Sequence, residues 1–313
     1  MEPAHEKYHR LISRCKSLEP VLCAVAHPCD ESSLRGALEA AEAGLITPLL
    51  VGPEQRIRTV AAESKLDLER LPIVDAPHSE ASAEAAVALV REGKAEVLMK
   101  GSLHTDELMA AVVKRDTGLR TDRRISHCFV MDVPALKQAL IITDAAVNIF
   151  PTLEDKVHIV QNAIDLARTL GLAAPKVAIL SAMETVNPSV PSTIEAAALC
   201  KMADRGQITG GVLDGPLALD NAIDLAAATI KHIESPVAGR ADILMVPDLV
   251  AGNVLAKSLT FMAGADAAGI VLGARVPIVL TSRADSVMAR RASCAVAVLM
   301  AHARRRQLGK AVS

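Results

Sequence analysis

The sequence predicts an α/β protein whose sheet is mainly parallel and covered by helices on both faces. Short strands that are apolar throughout recur along the chain, and Ala-rich helical patterns separate most of them. Strands of this kind are typical of sheets buried on both sides, because a half-exposed strand alternates apolar and polar residues. The helices between the strands provide the crossovers that parallel pairing requires.

The elements follow one another in a regular order. The first strand is expected at 21–26, followed by a helix over LRGALEAAEAGL and a second strand at 47–52. The stretches QRIRTVAAES and EAAVALVREG predict two further helices, and AEVLMK predicts a strand at 95–100. Later strands are expected at 176–182, 209–214, 241–247, 268–273 and 277–282. The link RVP between the last two is too short for a crossover helix, so they are either antiparallel or in different domains.

The length of 313 residues is sufficient for two domains. We expect a first domain made of residues 1–137 and 278–313, and a second domain made of residues 138–277. The first boundary is placed just after the stretch MDVP, and the chain is expected to return to the first domain near 275–280.

Composition limits the classes of function. The net charge of −2 gives no field that would gather nucleic acid or an anionic membrane, so we expect neither partner. The six cysteines are scattered, and the polar N-terminus has no signal-peptide pattern, which together predict a cytoplasmic protein. No His, Cys and carboxylate set has zinc spacing, and no G-x-G-x-x-G follows a strand, so neither a metal nor the usual dinucleotide fingerprint is expected.

Polar and charged side chains come directly after at least five predicted strands. Ligands of parallel sheets bind beyond the carboxyl ends of the strands, so these residues predict one polar cleft above the sheet. Lys100, Ser102 and Thr105 follow the strand at 95–100. Ser102 or Thr105 could cap the next helix, whose N-terminus would attract an anion; an ordinary capped turn is the alternative.

An arginine cluster precedes another apolar strand. Arg124, with its neighbours Arg120 and Arg123, could bind phosphate in a bidentate way, although a solvated charge run is the commoner explanation. Ser126 and His127 lie at the start of the strand itself. A single histidine in such a place is more often structural than catalytic.

The remaining candidates interrupt or follow apolar runs. Asp144 and Asn148 break the run LIITDAAVNI, and burying them unpaired would cost about 1–3 kcal/mol each, so each must meet a partner, a ligand or a turn. Asn253 and Lys257 lie in GNVLAKS, which resembles a phosphate loop but lacks its second glycine. The other residues that follow strands at once are Glu184, Asn187, Asp214, Ser282, Arg283 and Asp285.

Several long stretches resemble the phosphate acetyltransferase and phosphate butyryltransferase family, most closely its butyryl-type branch. They include PCDESSLRGALEAAEAGLI, MKGSLHTDELM, TDAAVNI, VAILSAMETVNPSVPST and PIVLTSRADS, in one order from about residue 11 to 301. The resemblance implies two α/β/α domains with the site in a cleft between them, as in isocitrate and isopropylmalate dehydrogenases. It also implies a homodimer or higher homo-oligomer.

The same resemblance implies reversible transfer of an acetyl or butyryl group between coenzyme A and inorganic phosphate. Acyl-CoA and acyl phosphate are then substrates, and no bound cofactor is expected. In the proposed reaction the thiolate attacks acyl phosphate directly, with Ser282 as donor to the carbonyl oxygen, Arg283 as phosphate clamp and Asp285 as base. The acetyl branch has an Asp seven residues beyond this Ser, where Ala289 stands here.

Two alternatives stay open at this point. One is a non-catalytic protein that binds acyl-CoA or acyl phosphate, which the Ala289 substitution favours. The other is an NAD(P)-dependent dehydrogenase of the same architecture, which would need nicotinamide and usually a metal-binding set of carboxylates.

Overall fold

The structure, a computed structural model, describes residues 5–68, 71–280 and 285–312. In chain order its elements are α1 (Glu6–Cys15), β1 (Val21–Ala26), α2 (Glu31–Glu42), β2 (Ile46–Gly52), α3 (Glu54–Glu63), β3 (Ile73–Asp75), α4 (Ser79–Arg91), β4 (Val97–Lys100), α5 (Thr105–Val112), β5 (Ser126–Asp132), β6 (Leu140–Thr143), α6 (Leu153–Thr169), β7 (Lys176–Leu180), α7 (Pro191–Asp204), β8 (Val212–Leu217), α8 (Leu219–Ile223), α9 (Leu225–Ile230), β9 (Ile243–Met245), α10 (Leu249–Ala263), β10 (Asp266–Leu272), β11 (Ile278–Val279) and α11 (Val287–Val312).

The chain divides into two compact units, each built from two separate segments. Unit 1 comprises Met1–Lys7 and Arg124–Ala267, and unit 2 comprises Tyr8–Arg123 and Ala268–Ser313. The expected boundary at 137/138 was placed just after the stretch MDVP, which ends in a proline. The structure places that proline in the link between β5 and β6, two antiparallel strands of unit 1. The units are therefore separated earlier in the chain than this turn signal.

Unit 2 contains a mostly parallel sheet. Its strands lie in the order β3-β2-β1-β4-β11-β10, and every neighbouring pair is parallel except β10 with β11. The short link between these two strands makes the antiparallel arrangement necessary, which was one of the two options left open by the sequence. The strands β1 and β4 are almost completely buried, as their continuous apolar sequence predicts.

Unit 1 also contains a mostly parallel sheet, with strand order β5-β6-β9-β7-β8. The pair β5 and β6 is antiparallel, and the pairs β6–β9, β9–β7 and β7–β8 are parallel. Its core consists mainly of Ala, Val, Leu and Ile side chains, as expected from a chain in which 1% of residues are aromatic. The prediction of an α/β fold with mainly parallel strands is confirmed. The short strand β3 was not predicted.

Within the part of the chain that the structure describes, no helix is long and apolar enough to cross a membrane.

Candidate active site

Asp144 is the centre of a buried polar network in unit 1. It follows β6, is 2% exposed and accepts five hydrogen bonds. Its Oδ1 accepts from the backbone N–H groups of Ala146 and Val147, each at 2.9 Å. Its Oδ2 accepts from the backbone N–H of His127 at 3.1 Å and from the N–H and Nδ2 of Asn148 at 3.3 and 2.6 Å. The carboxylate therefore fixes the loop 144–148, so Asp144 meets partners within a turn, which are two of the three outcomes that the sequence left open.

Asn148 connects this carboxylate to an arginine. The Asn148 side chain is buried, its Nδ2 also donates to the Ile125 carbonyl at 2.9 Å, and its Oδ1 accepts from Arg124 Nε at 2.8 Å. A second contact joins Arg124 Nη1 to Asp155 Oδ1 at 3.4 Å. Asn148 and Asp155 thus orient the guanidinium of Arg124, whose side chain is 52% exposed. An arginine held in this way presents its remaining N–H donors to an anion at little further entropic cost.

Asp155 belongs to the capping box of α6. The Thr152 hydroxyl accepts from the Asp155 N–H at 3.2 Å, and the Asp155 carboxylate accepts from the Thr152 N–H at 3.0 Å. Burial raises the pKa of Asp155, but its bonds from Thr152 and the charge of Arg124 outweigh burial and hold the pKa below its ordinary value. The start of α6 therefore provides an ionised partner for Arg124.

His127 and Ser126 are fully enclosed in β5. The His127 ring contacts Phe129 edge-on with 4.3 Å between ring centroids, and Nδ1 has no hydrogen-bond partner among the residues that the structure describes. Burial lowers the pKa of His127 to about 4, although the Asp144 carboxylate opposes this shift. The imidazole is neutral at physiological pH. Ser126 Oγ accepts from Asn162 Nδ2 at 2.8 Å, so its hydroxyl is held by α6.

The first turns of α10 approach the Asp144 loop closely. A Cβ on Gly252 would lie 2.7 Å from the Asp144 carbonyl oxygen and 2.9 Å from Val246 Cγ2, so only glycine fits without displacement. Asn253 Nδ2 donates to the Ala145 carbonyl at 3.4 Å, which adds Asn253 to the network. Lys257 lies one helical turn further along and is exposed.

Glu184 and Asn187 lie in the loop between β7 and α7, as predicted. Glu184 accepts hydrogen bonds from Asn221 Nδ2 and from Lys231 Nζ, and the bond to Lys231 holds the pKa of Glu184 below its ordinary value. Asn187 Oδ1 accepts from the Ser189 N–H at 2.9 Å, which forms a turn before the helix. Asn187 thus shapes the loop, whereas Glu184 is ion-paired.

Asp214 does not follow its strand, contrary to the prediction. The strand β8 begins and ends three residues later than expected, at Val212 and Leu217, so Asp214 lies inside it. The prediction ended the strand just before Gly215 and Pro216. A proline is tolerated in this strand because β8 is the edge of its sheet. Asp214 Oδ1 accepts from the Gly215 N–H at 2.9 Å.

In unit 2 the end of β4 is tied to the end of β1. Lys100 Nζ donates to the carbonyls of Gly101 and Leu103 at 3.1 and 3.0 Å. Ser102 Oγ donates to the His27 carbonyl at 2.8 Å and accepts from the Cys29 N–H at 3.2 Å. Ser102 therefore holds two loops together at the carboxyl edge of the sheet.

The prediction that Ser102 or Thr105 caps the N-terminus of α5 was wrong. The N-cap is His104, whose backbone N–H donates to Glu107 Oε2 at 2.7 Å, and Thr105 is the first residue of the helix itself. Ser102 cannot cap the helix because its hydroxyl is engaged with the loop after β1. Thr105 is exposed.

The strand β11 runs parallel to β4, with Val279 opposite Met99, and therefore ends beside Lys100. The two central predictions, Ser282 and Arg283, lie outside the described residues. Asp285 is half-buried and lies two residues before α11.

The beginning of α11 is held by Ser286 and Arg290. Ser286 Oγ accepts from the Ala289 N–H at 3.0 Å, and Arg290 Nη1 donates to the Asp285 carbonyl at 2.7 Å. Ala289, which replaces the Asp of the acetyl branch, is 2% exposed and lies on the buried side of the helix. No carboxylate can act from that position in this chain.

The structure thus brings together Arg124, Ser126, His127, Asp144, Asn148 and Asn253 in unit 1. Asp155 and Asn162 complete these contacts and were missed, as was Arg290, which holds the start of α11 in unit 2. Asn162 offered a signal, since it is a polar residue among the buried positions of α6, between Val160 and Ala163.

The fold is that of phosphotransacylase-type α/β proteins of known structure. A branched-chain phosphotransacylase from Enterococcus faecalis V583 has a similar structure, with a TM-score of 0.78 and 33% identity over 90% of this chain and 99% of that one. Residues 80–298 match the family described as Phosphate acetyl/butaryl transferase.

Two relatives agree with that match. A phosphate acetyltransferase of Rhizobium meliloti is 70% identical over 299 residues, which is 96% of this chain and 95% of the relative. A phosphate butyryltransferase of Clostridium acetobutylicum is 40% identical over 296 residues, which is 95% of this chain and 98% of the relative. The chain belongs to the phosphate acetyl/butyryl transferase family, and it is a phosphate acyltransferase.

Proposed function

We propose that the protein transfers a short acyl group reversibly between coenzyme A and inorganic phosphate. The observation that carries this proposal is the oriented, half-exposed guanidinium of Arg124, held by Asn148 and Asp155. A planar guanidinium with free donors suits a phosphate group, which a bidentate arginine binds strongly. Family membership supplies the acyl transfer. The sequence identity of 70% to a phosphate acetyltransferase favours acetyl over butyryl as the acyl group.

In the proposed reaction, the coenzyme A sulfur forms a bond to the acyl carbon of acyl phosphate. The bond between that carbon and the phosphate oxygen breaks, and phosphate leaves with the electron pair. The thiol proton passes to a base, for which Asp285 is the candidate. Ser282 would donate to the carbonyl oxygen as it gains charge, and Arg283 would neutralise the leaving phosphate. Both substrates react directly, so no bound cofactor is required in this scheme.

The buried Asp144 and His127 have a different role in this scheme. Asp144 is saturated by donors from its own loop, and His127 is neutral and enclosed. In this scheme Asp144 positions the Asn148–Arg124 pair, and His127 supports Asp144 through its backbone N–H while its ring packs on Phe129. A role in substrate binding remains a prediction for the other candidates, which are Lys100, Ser102, Thr105, Glu184, Asn187, Asp214 and Lys257. The cleft that the resemblance implies, and the dehydrogenase-like two-domain description, also remain predictions of the sequence.

The test is an assay of acyl phosphate formation from acetyl-, propionyl- and butyryl-CoA. We expect Arg124→Gln to raise the KM for phosphate about tenfold or more, because it removes a charged hydrogen-bond donor. Arg283→Ala should lower kcat as well. The matched control is Arg205→Gln, which removes an exposed arginine at the C-cap of α7 in the same unit. Full activity in Arg283→Ala would remove the role assigned to that residue.

The same assay separates the two alternatives. A non-catalytic binding protein, which the buried Ala289 favours, would bind coenzyme A and turn over none of the three thioesters. A dehydrogenase would change the absorbance of NAD or NADP without any dependence on coenzyme A.

A homodimer is part of the proposal, and an exposed apolar face of α10 supports it. Val250, Val254 and Phe261 recur at helical spacing on this face, with exposed fractions of 58%, 59% and 81%. Phe150 is 79% exposed in the loop whose Ile149 carbonyl accepts from the first N–H of α10. Large apolar surfaces of this kind mark contacts between proteins. We propose a second copy of the chain as the occupant.

Light scattering coupled to size-exclusion chromatography tests the dimer. Phe261→Ser should shift the mass from dimer to monomer, whereas Ile230→Ser, at a 77% exposed position of α9, should not. A wild-type protein that is monomeric at micromolar concentration would contradict the proposal. A cytoplasmic location fits the six free cysteines.

A further inference from the structure

Unit 1 contains a cavity at the opposite end of its strands from the candidate site residues. Leu140 and Lys176, the first residues of β6 and β7, line it, whereas Asp144 and Glu184 follow the far ends of the same strands. Its volume is about 470 Å³, which is within the range of small-molecule sites. No function assigned so far uses this cavity.

The lining of the cavity is cationic. Lys137, Lys176 and Arg240 contribute three positive charges, and Asp242 contributes the one carboxylate in the lining. That carboxylate is already engaged, because its Oδ2 accepts from the Lys176 N–H at 2.8 Å. Over the described ranges 5–68, 71–280 and 285–312, neither the Lys176 nor the Arg240 side chain is paired with a carboxylate. The net charge of the lining therefore favours an anion.

The turn 239–242 that forms one wall is fixed by backbone hydrogen bonds. Gly239 N–H donates to the Asn221 carbonyl at 2.7 Å, and Asp242 N–H donates to the Lys176 carbonyl at 2.9 Å. Gly239 has φ +72°, and a Cβ there would lie 2.4 Å from Leu225 Cα, so the turn packs directly on α9. The wall is consequently formed before any ligand arrives, which reduces the entropic cost of binding.

Apolar side chains complete the lining and define the ligand further. Leu136 and Ile223 lie in the same cavity as Lys176 and Arg240. A simple inorganic anion would leave this apolar surface unused. We propose that the cavity binds a small organic dianion, with its charged groups at Lys176 and Arg240 and its carbon skeleton on Leu136 and Ile223. A phosphate ester and a dicarboxylate share this chemistry.

The experiment is isothermal titration calorimetry of the full chain with two probes, glycerol 3-phosphate and succinate. The titration uses a phosphate-free buffer, and Arg124→Gln is titrated alongside, because equal binding in that variant shows that the probe does not occupy the candidate active site. We expect one site per chain for at least one probe, and the probe that binds more tightly defines the charged group of the ligand. Arg240→Gln and Lys176→Gln should each weaken its binding about tenfold, because each removes one charged hydrogen bond.

The control is Arg205→Gln, which removes a positive charge elsewhere in unit 1 and should leave the binding constant unchanged. Far-UV circular dichroism of each variant shows that the unit remains folded. The proposal is overturned if neither probe binds, or if binding is unchanged in both charge-removing variants. Because the readout is binding and not turnover, failure here leaves the proposed acyl transfer intact.

Discussion

Replacing Asp144 by Asn tests whether the buried network holds the fold of unit 1 together. The change keeps the shape of the side chain and removes its charge and one acceptor oxygen. Every one of its five hydrogen bonds comes from a donor in residues 127 and 146–148. An amide in this position must turn its NH₂ group toward some of these donors.

The structure sets the magnitude of the loss. If the amide oxygen replaces Oδ1, the NH₂ group faces three donors; if it replaces Oδ2, the NH₂ group faces the Ala146 and Val147 N–H groups. At least two hydrogen bonds to a charged acceptor are lost in either orientation. At about 1.5–3 kcal/mol each, the loss of two such bonds should lower the free energy of unfolding by about 3–6 kcal/mol.

Urea denaturation followed by circular dichroism at 222 nm measures this loss, because the chain has no tryptophan and one tyrosine. The matched control is Asp220→Asn, which removes an exposed carboxylate 3.0 Å from Lys231 and should leave the urea midpoint almost unchanged, because solvent screens this ion pair. A loss below about 1 kcal/mol for Asp144→Asn would show that the network does not stabilise the loop. Equal losses for the two variants would lead to the same conclusion.

Three further predictions concern buried groups. The pKa of His127 is lowered from 6.5 to about 4, so the unfolded state binds the proton more tightly than the folded state. The free energy of unfolding should therefore fall by about 2–3 kcal/mol as pH decreases from about 6.5 to 4. Urea denaturation across this pH range should show a weaker dependence of stability on pH for His127→Phe than for the wild type. Gly252→Ala should destabilise the protein by about 2 kcal/mol despite the better helix propensity of alanine, because the added Cβ meets the backbone of the Asp144 loop. Gly309→Ala, with nothing within 4 Å of the added Cβ, should be neutral or stabilising. Equal shifts of the thermal midpoint for both variants would contradict this reasoning. Lys7→Met should cost about 3 kcal/mol, since it leaves the buried Asp132 carboxylate without its partner at 2.6 Å, and an unchanged urea midpoint would refute that reasoning.

The parallel strands were predictable because their burial on both faces leaves a continuous apolar sequence. β1 was predicted at its observed bounds, and β4, β7 and β9 within a few residues. The strand β3, with the sequence IVD, was missed because two half-buried residues and one exposed residue are too few for a periodic pattern. Gly215 and Pro216 misplaced the end of β8, since local turn propensity does not indicate that a strand lies at a sheet edge.

The candidate site was predictable where polar residues interrupt an apolar run. Asp144 and Asn148 were recognised for this reason, and the requirement that buried polar groups be paired anticipated their contacts. The residues that hold Arg124 and Ser126 were not predictable, because Asp155 and Asn162 lie on a helix whose orientation depends on tertiary packing. The cap of α5 was misassigned because two favourable cap residues flank His104, and only the loop after β1 decides what Ser102 contacts.

The position of β11 has a consequence for synthesis on the ribosome. This strand lies between β4 and β10 in the sheet of unit 2, yet all the other strands of that sheet except β10 precede it by more than 170 residues. A nascent chain that has completed β4 therefore exposes an unpaired strand edge until the last segment is translated. Exposed edges of this kind promote association with other chains, so a truncated product that stops before residue 278 should aggregate.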